Sequence, residues 1–121
     1  MSAFVELHKI RPHVLGEGVF ARAVTGERMT LAVVDLEANA GVPEHKHENE
    51  QLGFVITGSI TMRIGSDERE LHPGDTYTIP SNVPHSAYAG PDGATVVDAF
   101  APIRADWANL QRGEPSAGRW P

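Results

Sequence analysis

Two histidines one residue apart, His45 and His47, stand just ahead of a strand-like run in GVPEHKHENEQLGFVITG, Gly41–Gly58. A neutral imidazole offers a nitrogen lone pair to a divalent transition metal, and an amide or carboxylate adds an oxygen donor. On an extended backbone successive side chains alternate faces, so His45 and His47 point the same way. Gln51 shares that parity, whereas Glu48 and Glu50 oppose it. Gln51 is therefore the expected oxygen donor, with Glu50 in reserve. A fourth donor can come from far along the chain: PSNVPHS supplies His85, in a segment stiffened by Pro80 and Pro84. Such a set suits one divalent metal inside a barrel, and zinc, nickel, manganese and iron all accept it. An isolated histidine is more commonly a surface residue or a hydrogen-bonded core residue. His8, His13 and His72 are assigned to that class, with His72 facing solvent before the turn at Pro73–Asp75.

The elements that must hold these donors read as short strands separated by turns. MTLAVVDLEA (Met29–Ala38), QLGFVITG (Gln51–Gly58), TYTIP (Thr76–Pro80) and ATVVDAFAP (Ala94–Pro102) are rich in β-branched and apolar residues. SITMRIG (Ser59–Gly65) alternates Ile60, Met62 and Ile64 with Thr61 and Arg63, the period of a half-buried strand. GPDG (Gly90–Gly93) has the composition of a hairpin loop. One short helix is expected within Ile103–Gly113, ended by Gly113. Glu114–Pro121 carries little pattern and is expected to be mobile or to lie on a partner. Many short strands with turn punctuation predict an all-β closed barrel or double-sheet jelly roll. An immunoglobulin-like sandwich would lack its cysteine pair and leave the histidines unexplained.

The 121 residues make one domain, 1–121, with a barrel core at about 29–102. Hydrophobic residues are 40% and charged residues 21%, the mix of a soluble globular protein. The net charge of −6, without any dense run of Lys or Arg, argues against nucleic acid or an anionic membrane as partner. With no cysteine, thiolate ligands and disulfides are excluded, so a metal must be held by nitrogen and oxygen. The N-terminal segment MSAFVELHKIRP shows no basic start followed by an apolar run, and a cytoplasmic location is expected.

Together, GVPEHKHENEQLGFVITG and GDTYTIPSNVPH resemble the two-part signature of the cupin superfamily. His45-x-His47, three residues, Gln51, six residues and Gly58 follow the first motif; Gly74, Pro80 and His85 keep their places in the second. Gly41 lies nearer the histidines than the pattern has it. Asn82 stands at the second-motif glycine and Ala89 at its final asparagine. Asn82 is a tolerable change because asparagine visits left-handed geometry more readily than other non-glycine residues. The departure with chemical weight is Gln51, where most cupins carry glutamate. Three imidazoles and an amide leave the double positive charge of a metal uncompensated. Such a centre is a strong Lewis acid that attracts an anionic or enolising oxygen.

The resemblance narrows over roughly Gly18–Trp107. The His-x-His and Gln51 element, IPSNVPHSA and VVDAFAPIRADW are similar to the KdgF-like cupins of pectin and alginate breakdown. In that family Asp-x-Phe-x-x-x-Arg belongs to the active site, which implies roles for Asp98, Phe100 and Arg104. The implied activity converts 4,5-unsaturated monouronates into linear, ketonised sugars. Read on their own, Asp98 and Phe100 share parity and can face one cavity. Asp98 can move a proton as general acid or base, or it can be a surface residue or a partner of Arg104. Phe100 suits the core better than a substrate platform. Arg104 can fork onto a uronate carboxylate, or be a solvated or interface arginine. Trp107 and Trp120 read as packing or dimer contacts.

Three functions fit this sequence. The leading one is a metal-dependent sugar-acid enzyme, with His45, His47, Gln51 and His85 on the metal, Asp98 moving the proton and Arg104 anchoring the carboxylate. An iron-dependent dioxygenase would need ferrous metal and consume oxygen. A non-catalytic metal- or sugar-binding module is the third, although sensors of that kind usually adjoin a DNA-binding domain and no helix-turn-helix is legible here. A homodimer is expected from the resemblance and from the frequency of two-fold assemblies.

Overall fold

Two long strands, each serving several neighbours, organise the chain. A computed structural model describes residues 2–115 and 118–121. Its strands are β1 (His13–Gly16), β2 (Val19–Thr25), β3 (Thr30–Leu36), β4 (Gly41–His45), β5 (Glu50–Ile64), β6 (Asp67–Leu71), β7 (Thr76–Ile79) and β8 (His85–Ala101). Along one edge β8 carries β4 and then β3, and along the other it pairs with β5 for nearly its whole length. The free edge of β5 takes β7 against Gln51–Phe54 and β6 against Ile60–Ile64. All pairings are antiparallel, in the order β1-β2-β3-β8-β5-β6, and the result is the expected all-β jelly-roll barrel. The sheet begins earlier than the core expected from residue 29, because β1 and β2 join it and Val19 and Ala21 are fully buried.

Alternation decides what fills the barrel. Ala32, Val34 and Leu36 of β3 and Ala94, Val96 and Phe100 of β8 turn inward, where they meet Val55, Ile60 and Met62 of β5. Each fully buried aliphatic side chain contributes about 1.5–3 kcal/mol relative to exposure. The segments Gln51–Gly58 and Ser59–Gly65 form one strand with a break. Gly58 makes it at φ +75°, packed so tightly on Gly93 and Ala94 that a Cβ would lie 2.8 Å from the Ala94 Cα.

Three expectations are corrected. Gly90–Gly93 is not a hairpin loop: pairing jumps from Ile60↔Ala89 to Gly58↔Ala94, so these residues bulge opposite Ser59 and β8 runs on. The helix within Ile103–Gly113 is a short 3-10 turn over Ala105–Asn109, and Gly113 does not end it. Gly113 instead donates its N–H to the Pro12 carbonyl, beside an isolated bridge between His13 and Arg112. In the tail, Ser116 and Ala117 lie outside the described residues, but its end lies on the chain's own barrel. Arg22 Nη2 donates to the Trp120 carbonyl, and the Arg119 N–H donates to Asp35 Oδ1 at 3.2 Å. No helix among the described residues is long and apolar enough to cross a membrane.

Candidate metal centre

His45 ends β4, His47 lies just before the bend at Glu48 and Asn49, Gln51 opens the inward-facing set of β5, and His85 begins β8. The backbone does not stay extended between His45 and Gln51, yet all four side chains reach one region. The His45 and His85 ring centroids are 4.2 Å apart, His47 and His85 4.9 Å, and His45 and His47 5.6 Å. One ring nitrogen from each histidine lies within 4.8 Å of the others. Gln51 is buried and lines the same cavity, whereas Glu50 is exposed.

The local hydrogen bonds fix which nitrogen faces inward. His45 Nδ1 meets the Pro43 carbonyl at 2.8 Å, His47 Nδ1 the Asn49 carbonyl at 2.9 Å, and His85 Nδ1 the Val83 carbonyl at 2.9 Å. A carbonyl only accepts, so each Nδ1 carries the hydrogen and each Nε2 keeps its lone pair. The Nε2 atoms of His47 and His85 are buried with no hydrogen-bond partner among the described residues. Buried polar atoms are rarely left so. Orphaned, convergent lone pairs beside a buried amide fit a divalent metal, which Gln51 would ligate through its carbonyl oxygen. Burial is the main cause that lowers both rings, His85 to about 4, so both are neutral and able to bind metal at neutral pH.

The remaining candidates share the cavity, which measures about 310 Å³. Asp98 is neither exposed nor a partner of Arg104; it is 5% exposed and accepts a 2.5 Å hydrogen bond from the Tyr77 hydroxyl. Burial pushes its carboxyl up to about 6, against the hydrogen bonds from Tyr77 and Gln51 and the Arg104 charge, which pull it down. Burial and the neighbouring carboxylate hold the Tyr77 phenol well above its ordinary range, so it remains a donor. Phe100 is buried and joins the core, with its ring 5.9 Å from His47. Arg104 lies 4.7 Å over the Phe100 ring and 4.6 Å over the Trp107 ring. Its Nε and Nη2 fork onto Asp106 at 3.1 and 2.9 Å, an ion pair not expected from the sequence.

Two residues without a role in the sequence reading, Tyr77 and Asn49, shape the site, as does Trp107. Tyr77 shares inward parity with Ile79 between exposed Thr76 and Thr78, a signal legible in TYTIP. Buried Asn49 donates to the Pro102 and Ile103 carbonyls at 2.6 and 3.1 Å, which ties the His47 bend to the segment carrying Arg104. Buried Trp107, read as packing or a dimer contact, lines the cavity with its ring 5.2 Å from Phe100. Trp120 is partly exposed beside Arg22.

Comparison with known proteins places this geometry in context. A family model described as a cupin domain matches residues 32–99, which include His45, His47, Gln51, His85 and Asp98. The pectin degradation protein KdgF of Dickeya dadantii is 31% identical over 96 residues, covering 77% of this chain and 86% of that protein. The structure of KdgF from Halomonas sp. superposes with a TM-score of 0.79 at 25% identity, covering 88% of this chain and 98% of that one. An RmlC-like cupin from Shewanella frigidimarina superposes at 0.81 with 21% identity, covering 88% and 96%, a likeness of fold alone.

Proposed function

This chain belongs to the cupin family, and on that premise we propose that it is a metal-dependent enzyme that opens and ketonises 4,5-unsaturated monouronates. The observation that carries the reading is one cavity lined by His45, His85, Gln51, Asp98 and Arg104, with a ring nitrogen of His47 within 4.8 Å of those of His45 and His85. Its likeness to two KdgF proteins, one of them described as a pectin degradation protein, supports a sugar acid as substrate.

The reaction is an isomerisation and needs no oxidant. The ring C1–O5 bond breaks as the C1 hydroxyl loses its proton, which leaves an aldehyde at C1 and an enolate at C5. That proton then joins C4, and C5 becomes a ketone. A bound divalent metal supplies Lewis acidity that polarises a substrate oxygen. Its ligands would be His45, His47, Gln51 and His85, whose neutral set leaves the ion's charge uncompensated.

Asp98 accepts the proton from the C1 hydroxyl and returns one to C4. A carboxyl raised to about 6 suits both directions near neutral pH. Arg104 receives the uronate carboxylate on its Nη1–Nη2 edge, since Asp106 holds the Nε–Nη2 edge. Phe100 and Trp107 stack against that guanidinium and give the cavity apolar walls. Action from the cytoplasm as a homodimer belongs to the same reading.

The test is loss of the conjugated-alkene absorbance of an unsaturated monouronate on mixing with the purified, metal-loaded protein. Turnover abolished in Asp98→Ala, with KM raised in Arg104→Ala, is the expected result. An unchanged absorbance with zinc, nickel, manganese and ferrous iron each supplied would overturn the proposal.

A further inference from the structure

Strands β7, β5 and β8 place a tyrosine hydroxyl against Asp98. Tyr77 on β7 pairs with Gly53 on β5, and Gly53 in turn pairs with Asp98 on β8, so the three lie in one row across three strands. Tyr77 and Asp98 both point inward from the flanking strands and meet over the central glycine at 2.5 Å. Gly53 has to be bare for that contact to exist. A Cβ there would collide with Asp98 Oδ1 and would stand 2.5 Å from both the Tyr77 ring and its oxygen, which no real side chain tolerates. Tyr77 is 6% exposed, and its hydroxyl makes no other hydrogen bond among the described residues. A buried phenol needs a partner, and this one spends its only proton on the carboxyl that lines the cavity.

We propose that Tyr77 is a positioning residue for Asp98, and that Gly53 is the gap that lets the two meet. The phenol fixes Oδ1 and turns the carboxyl so that Oδ2 is presented to the substrate. Tyr77 acts through Asp98 and does not itself exchange a proton with the sugar. This role rests on the reading of Asp98 as the proton-transferring group. It also accounts for a glycine in the middle of QLGFVITG, where strand propensity favours a β-branched residue.

A double-mutant cycle tests it. Proton transfer by a placed side chain contributes about 10²–10⁴-fold, so Asp98→Asn should lower kcat by that order. Tyr77→Phe keeps the ring and should lower kcat by about 10-fold, a fraction of that contribution, with KM and metal content unchanged. The double variant should be no slower than Asp98→Asn alone, because the hydroxyl acts only through the carboxyl. Gly53→Ala, which drives the pair apart, should reproduce the Tyr77→Phe loss and serves if Tyr77→Phe folds poorly. A Tyr77→Phe enzyme within twofold of wild type, or a double variant slowed by the product of the two factors, would overturn the proposal.

If the wild-type protein turns over no unsaturated uronate, the functional reading falls by itself. The positioning role is then decided by crystal structures of the wild type and Tyr77→Phe. An Asp98 carboxyl rotated off its wild-type orientation in the variant supports it, and an unmoved carboxyl refutes it.

Discussion

The barrel buries two polar clusters, and they are built on opposite terms. On the outer face, Arg22 of β2 is 2% exposed and faces Asp35 of β3 at 3.2 Å. Asp35 also accepts the Thr95 hydroxyl at 2.8 Å and the Arg119 N–H, while Arg22 donates to the Trp120 carbonyl. Charge there is matched by charge, and the cluster fastens the C-terminal end to the sheet. Inside the barrel, the buried Nε2 atoms of His47 and His85 have no hydrogen-bond partner among the described residues, and Asp98 has only uncharged hydrogen-bond donors. Arg22 Nε and Nη1 also lack partners among the described residues, but these are donors on a cation and cannot bind a metal. What separates the two clusters is the kind of atom left over: converging lone pairs can hold a cation, whereas leftover guanidinium donors cannot.

Removing a ligand is the most drastic way to break the contrast. His47→Ala should reduce bound metal from one ion per chain to nearly none by elemental analysis. Activity should fall by more than the roughly 10- to 100-fold that losing an outer hydrogen-bond partner costs a metal site. Arg22→Met should do the reverse. It leaves Asp35 buried without its cation, so unfolding free energy should drop by about 3–5 kcal/mol in denaturant titrations while metal content stays the same. If Arg22→Met also stripped the metal, the clusters would not be independent.

A smaller effect separates them by pH. Burial raises Asp98 from its ordinary 3.8 to about 6, so the folded chain holds this proton more tightly than the unfolded one. The stability this brings is complete below pH 3.8 and is lost as pH rises through about 6, amounting to about 3 kcal/mol. Asp98→Asn removes the titration. In metal-free protein the variant should match wild type near pH 4 and exceed it by about 2–3 kcal/mol above pH 7. Equal stability of the two at both pH values would show that the carboxyl is not raised.

Much of this arrangement was legible in the sequence, and the gaps have physical causes. Parity along an extended chain selects His45, His47 and Gln51; His45 and Gln51 line one cavity and His47 converges with His45, even though the chain bends at Glu48 and Asn49. The bend takes up the slack between β4 and β5 without exchanging inward for outward residues. Gly90–Gly93 misled because a bulge and a hairpin loop draw on the same residues, and only the partner strand tells them apart. Strands β1 and β2 escaped notice because HVLG has only four residues and VFARAVT holds a charged arginine, whose burial depends on an aspartate 13 positions away. The fork of Arg104 onto Asp106 and the bond from Tyr77 to Asp98 are side-chain choices that strand patterns do not encode.

The smallest effect concerns the residue that departs from the second motif. Asn82 adopts φ +62°, the left-handed geometry that asparagine tolerates in place of glycine. Its backbone N–H donates to the His47 carbonyl at 2.8 Å, and three residues later comes His85. The left-handed turn therefore joins the loop carrying one candidate ligand to the loop carrying another. Asn82→Ala keeps the N–H but meets the left-handed penalty in full, so stability should fall by about 1 kcal/mol. Asn82→Gly should be nearly neutral. Because the strain falls on the link between the two histidine loops, Asn82→Ala should also weaken metal affinity, whereas an equally destabilising substitution in the Arg22 cluster should not. Metal titrations of Asn82→Ala and Thr95→Val at matched stability would decide it. Equal affinities would mean that the turn at Asn82 supports the fold and leaves the histidines' spacing to the strands alone.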